Sequence, residues 1–199
     1  MSAEAARHIV NTALHLADQG SWETLRLHEV ARAAGISLED IRHHFREKDA
    51  LIDAWFDRAD AAMLETAAAA GFRHLPVRQR LEHALLAWLG ALQPYQRVTR
   101  EMILAKCEPG HLHIQFPALM RISRTVQWLR EAAGLEDAFL HRALAETALT
   151  GIYLAVFVRW LNDTSADAAH SRRLLSQLLT QAERLALALP GFGAARRSI

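Results

Sequence analysis

Apolar positions recur at intervals of three and four residues along almost the whole chain, and no run of period two is sustained, so the pattern predicts helices throughout. The first helix spans residues 3–19, with Ile9, Val10, Ala13 and Leu16 on one face and Gly20 where a C′ glycine belongs. A helix opening at Lys48 carries Leu51, Ile52, Trp55, Phe56, Ala59, Met63 and Leu64 and runs to about residue 70, where Gly71 ends it. Pro76 opens a helix that reaches Leu92 and is closed by Pro94. Val98, Met102, Ile103 and Ala105 mark another, broken by Glu108-Pro109-Gly110, and a further helix runs from near Pro117 to Ala133 with Gly134 as its stop. Two long helices, residues 136–161 and 168–189, are joined by the polar turn Asn162-Asp163-Thr164-Ser165. The predicted fold class is all-α, with domains at 1–47 and 48–199.

Residues 27–51 are the most informative stretch, because they read as two short helices around a glycine turn with a third beginning just beyond. Leu27, Val30, Ala31 and Ala34 form an i, i+3, i+4, i+7 stripe. Gly35 supplies a positive-φ turn position, and Ser37 caps the next helix with Asp40 as a capping-box-like partner. Ile36, Ile41 and Phe45 point inward. Leu38, Glu39, Arg42, His43 and His44 are left facing outward, as the surface of a helix-turn-helix that meets a partner.

The order Ile9-Val10-x-x-Ala13-x-x-Leu16-x-x-x-Gly20, then Leu27-x-x-Val30-Ala31-x-x-Ala34-Gly35-Ile36-Ser37, then Ile41-x-x-His44-Phe45-x-x-Lys48-x-x-Leu51 resembles the amino-terminal domain of the tetracycline-repressor (TetR) family over residues 7–55. The resemblance implies a TetR-like fold: an amino-terminal three-helix DNA-binding domain and a carboxy-terminal domain for dimerisation and effector binding. It also implies a homodimeric, ligand-responsive regulator, a repressor, on a pseudo-palindromic operator. Under it Arg42 and His43 touch bases beside Leu38, while Ser37, His44 and Lys48 hold phosphates.

Charge points elsewhere. The 199 residues carry a net +1, but residues 1–60 hold seven Lys and Arg against eleven Asp and Glu, a net of −4. Glu39 and Asp40 suit the start of a helix and repel phosphate. Together with the run LTGIYLAVFVRWLND at 149–163, they support an alternative: a lipid-binding accessory protein with a TetR-like fold, similar to ubiquinone-biosynthesis accessory proteins, that does not read DNA. The single Cys107 excludes an internal disulfide, and no leader-like or membrane-spanning stretch stands out, so the expected location is the cytoplasm.

Chemistry-bearing motifs are scarce: there is no glycine-rich phosphate loop, paired-cysteine zinc pattern or nucleophile elbow. No enzyme, cofactor or metal is expected. His111 and His113, near Cys107 and Glu108, read as a polar loop, and Asp53, Asp57 and Asp60 with Arg58 as a solvated acidic face. Five Trp and seven Phe are spread so that Trp88, Phe116, Trp128, Phe157 and Trp160, with Met102, Met120 and Tyr153, are expected to line a pocket for a small apolar effector. Arg121, Arg124 or His113 would fix a polar end. Leu144, Ala148, Gly151, Ile152 and Ala155 on one late helix, and Leu174, Leu178 and Leu185 on the other, are expected to form a four-helix bundle between two copies.

Overall fold

A computed structural model describes residues 3–106, 112–135 and 139–188, without the side chains at 106, 112–120 and 139–142. The helices are α1 (Ala3–Gln19), α2 (Leu27–Ala34), α3 (Leu38–His44), α4 (Lys48–Ala68), α5 (Val77–Leu92), α6 (Gln96–Lys106), α7 (Leu112–Ala133), α8 (Phe139–Leu161) and α9 (Ala169–Ala188). Single 3₁₀ turns lie at Phe72–His74, Gln93–Tyr95 and Ala166–Ala168. Among the described residues all regular structure is helical, as the apolar spacing predicts. One start differs: α7 begins at Leu112 rather than at Pro117.

The chain divides into two compact units. The first comprises Met1–Ala59 with Gly90–Pro117, and the second Asp60–Leu89 with Ala118–Ile199. Residues 48–59 of α4 thus belong to the first unit and 60–68 to the second, and α6 joins the first.

The side chains of α6 explain that assignment. Arg97 donates to the last carbonyls of α1, those of Ala17 (3.1 Å), Asp18 (2.6 Å) and Gly20 (3.2 Å), and pairs with Glu101 at 2.5 Å. Glu101 in turn accepts from the Trp22 N–H at 2.8 Å. The orphan carbonyls at the end of α1 therefore find a guanidinium, and Gly20, unlike Gly35, Gly71 and Gly134, does not adopt positive φ. Thr99 of α6 accepts the indole hydrogen of Trp55 at 2.9 Å, in a core built from Ile9, Val10, Leu14, Val30, Ile41, Leu51, Trp55 and Met102.

In the second unit α8 and α9 pack together across the turn that begins at Asn162. Asp163, 3% exposed, is the hub of that turn. Its carboxylate accepts from the Ser171 N–H (2.7 Å) and hydroxyl (2.6 Å), and from the Ser165 N–H (3.1 Å) and hydroxyl (2.5 Å); His170 Nδ1 lies at 3.3 Å. Burial works to raise the carboxyl's pKa, but the hydrogen bonds from Ser165 and Ser171 win and hold it well below the ordinary 3.8. A depressed folded pKa means stability that is present above about pH 4 and lost as pH falls through the folded value. Asp163→Asn is therefore expected to cost about 2–3 kcal/mol at neutral pH and to flatten the acid limb of the stability curve, measured by urea unfolding at neutral pH and at pH 3. An acid limb as steep as that of the parent protein would assign it to other carboxylates.

The stretch Ala143–Leu161 of α8 is long and apolar enough to cross a membrane by length and composition. Leu149, Ile152, Tyr153, Val156, Phe157, Trp160 and Leu161 of that stretch are buried within the second unit.

Candidate nucleic-acid interface

α2 ends at Gly35 with φ +67°, where the glycine N–H and that of Ile36 return to the carbonyls of Arg32 (3.3 Å) and Ala31 (3.0 Å). At the start of α3, Ser37 and Asp40 form a complete capping box: the Asp40 N–H reaches Ser37 Oγ at 3.0 Å, and the Ser37 N–H reaches Asp40 Oδ2 at 2.9 Å. The Ser37 hydroxyl also donates to Asp40 Oδ2 at 2.7 Å, and these bonds hold the Asp40 carboxyl below its ordinary pKa. Ile41 and Phe45 are buried and anchor α3 from within. Leu38 is 51% exposed, Arg42 and His43 are exposed, and His44 is half-buried, its ring 6.3 Å from that of Phe45. The turn and the inward and outward faces of α3 match the sequence expectation.

Two of the expected phosphate contacts are spoken for. Ser37 spends its hydroxyl on the cap. The Lys48 ammonium donates to three carbonyls of the preceding loop, those of Trp22, Glu23 (3.3 Å) and Leu25 (2.9 Å), and lies 4.9 Å from the centre of the Trp22 ring. An ammonium has three hydrogens, so this geometry uses all of them inside the domain. Burial, then the nearby Arg26, lowers the Lys48 pKa. In this structure Lys48 is a clamp on residues 22–25. Lys48→Met is expected to destabilise the protein by about 2 kcal/mol, seen in thermal unfolding, while the salt dependence of DNA binding stays as it is. A salt slope shallower by about one would return Lys48 to a phosphate.

The acidic side chains of this unit have local work to do. Glu29 accepts from the Arg26 N–H at the start of α2 (3.0 Å), Asp40 caps α3, and Asp18 pairs with Arg97 at 3.5 Å. Glu39 takes Arg42 in a two-point contact, Nε to Oε2 at 2.9 Å and Nη2 to Oε1 at 2.6 Å, with His43 Nε2 at 3.4 Å. Asp60 is no part of a solvated face. It is 6% exposed in the second unit and accepts from Trp88 Nε1 (2.8 Å), the Thr125 hydroxyl (3.0 Å) and Arg121 Nη2 (3.4 Å). Arg58, too, is half-buried, donating to Asn11 at 2.8 Å and lying 5.4 Å from the Trp55 ring.

Of the residues expected to line a ligand pocket, four come together in the second unit. Trp88 meets Tyr153 and Phe157 edge-on, each at 5.3 Å between ring centres, and Phe157 stacks on Tyr153 and on Trp160, each at 5.9 Å. Burial, followed by the charge of Asp60, pushes the Tyr153 hydroxyl far above its ordinary pKa, so it stays a neutral phenol. Trp128 does not join them: it is 45% exposed on α7, its position falling on the outer face of that helix, and Arg124 is exposed as well. Met102 is buried in the first unit. His113, Phe116 and Met120 lie outside the described side chains, as do His111, Cys107 and Glu108.

The expected dimer residues divide more cleanly. Leu144, Ala148, Gly151, Ala155 and Val158 follow one another at steps of four and three along the exposed face of α8, while Ile152 is turned into the unit's own core. On α9, Leu174 and Leu178 are half-buried and Leu185 is 68% exposed. Sequence reasoning missed Arg97, Asp60 and Asp163. For the first, the i, i+4 spacing of Arg97 and Glu101 was the available signal.

No protein-family model and no curated protein matches this sequence. Solved structures do. The TetR transcriptional regulator from Nitrosomonas europaea ATCC 19718 is 48% identical, with a TM-score of 0.80, over 90% of this chain and 98% of that one. A TetR transcriptional regulator from Rhodococcus sp. RHA1 (20% identity, TM-score 0.64, 88% and 96% covered) and a TetR-family regulator from Streptomyces coelicolor (17%, 0.66, 98% and 87%) share the fold. With nearly half of its residues shared across almost the full length of the first of these, the chain belongs to the TetR family of transcriptional regulators.

Proposed function

We propose that the protein binds a pseudo-palindromic operator as a homodimer and represses transcription in the cytoplasm until a small apolar effector binds. The observation that carries this reading is the rigidly capped α3, which presents Leu38, Arg42 and His43 to solvent beyond a positive-φ glycine turn. The acidic balance that favours a lipid-binding relative has a local account: Glu29 and Asp40 cap helices, Asp18 and Glu39 sit in ion pairs, and Asp60 is buried. Asp18 and Glu39 are balanced by the arginines they meet, and Asp60 faces Arg121 inside the second unit.

The exposed stripe of α8 with the α9 leucines supports the dimer, since reading two half-sites requires two copies. Trp88, Tyr153, Phe157 and Trp160 support an apolar effector in the second unit, and α4, continuous through residues 48–68, is the proposed path by which the effector changes half-site spacing. The test is selection from a pool of random-sequence DNA with the purified protein. A single recovered pseudo-palindrome is the expected result, and a pool that stays random through all rounds would reject operator binding.

A further inference from the structure

The Glu39–Arg42 contact is a choice between edges of one guanidinium. Glu39 occupies the side edge of Arg42, formed by Nε–H and one Nη2 hydrogen. The end edge, one hydrogen on each of Nη1 and Nη2, is the pair that matches the O6 and N7 acceptors of guanine in the major groove. Both side chains are solvent-facing, at 67% for Arg42 and 58% for Glu39, so a groove can reach them. We propose that Glu39 sets the base preference of α3: by holding the side edge of Arg42 it aims the end edge at guanine, and each half-site carries one G·C pair read by Arg42. This rests on the operator-binding reading above.

The same carboxylate has a second consequence. Arg42 brings a positive charge to the groove and Glu39 cancels it, so the pair adds little to the sequence-independent attraction of phosphates. Only DNA that offers the guanine acceptors repays the approach of a carboxylate to the backbone. Glu39 therefore lowers affinity for random DNA while it sharpens choice, a gain by repulsion as much as by contact. It acts through Arg42, as a positioning residue. His43 Nε2 lies 3.4 Å from Glu39 Oε1, the oxygen that Arg42 Nη2 also contacts.

The experiment uses the full-length protein on its selected operator, with each base pair of the half-site changed in turn, and on random-sequence DNA, across a salt series. The parent protein is expected to lose roughly ten- to hundredfold in affinity on changing one G·C pair, and Arg42→Ala to lose that discrimination. Glu39→Ala is expected to lose most of the discrimination at the same pair alone, while binding random DNA more tightly and with a steeper salt dependence. Glu39→Gln, which retains a carbonyl acceptor without the charge, should fall between. Glu39→Ala with Arg42→Ala should discriminate no worse than Arg42→Ala. A Glu39→Ala protein that discriminates the pair as the parent does, or an Arg42→Ala protein with an unchanged base profile, overturns the proposal. A parent protein without any preferred sequence fails earlier, at operator binding, and takes this proposal with it.

Discussion

Asp60→Ala is expected to destabilise the protein by about 3–5 kcal/mol and to lower its thermal midpoint by about 10 °C. The substitution takes away the carboxylate that lies 3.4 Å from the Arg121 guanidinium, which is 8% exposed, and it removes an acceptor of the Trp88 indole and the Thr125 hydroxyl. Removing one charge of a buried pair costs far more than removing an exposed one, because water cannot take its place. Asp60→Asn keeps an acceptor oxygen for Trp88 and Thr125 and should cost less. Pairing Asp60→Leu with Arg121→Met removes both charges together and should recover much of the loss, which a double-mutant cycle measures directly. If the single alanine variant unfolds within about 1 kcal/mol of the parent, the network is not the keystone of the second unit.

Gly151→Glu is expected to convert the dimer to monomer and to weaken operator binding by roughly a hundredfold or more, since each half-site is then bound without its linked neighbour. A Cβ at Gly151 meets nothing within 4 Å in the protomer, and the helix is regular there. The folded monomer should therefore tolerate the change, and loss of a glycine from a helix even favours it by about 0.5–1 kcal/mol. A defect in assembly would therefore come from what the proposed interface sets against this face. Ala148, Gly151 and Ala155 are small enough to let two helices approach closely, and a carboxylate placed between them is desolvated without a partner. Sedimentation velocity separates the outcomes. A Gly151→Glu protein that stays dimeric would move the interface away from this stripe.

The helices and the turn were legible because their signals are local. Apolar spacing, Gly35 and the Ser37-Asp40 pair each act within a few residues, and the structure repeats them almost position for position. The clamp made by Lys48 was not legible, because its partners are carbonyls of residues 22, 23 and 25, which no side-chain pattern announces. Asp60 was read as surface, yet it follows Ile52 and Phe56 at steps of four on the buried stripe of α4, and that register was the clue. Trp128 was read as pocket because an aromatic residue suggests burial, whereas its helical phase puts it opposite Val126 and Arg130, which are buried. The place of α6 in the first unit was not legible, since it rests on long-range contacts from Arg97 and Thr99.

The central claim, that α3 reads a specific sequence, is tested most directly by the affinity of the purified dimer for its selected pseudo-palindrome and for a scrambled duplex of equal length, both at about 0.15 M salt. The prediction is a preference of roughly a thousandfold or more, with one dimer bound per site. Equal affinities that fade together as salt rises would be phosphate attraction alone, and would contradict it.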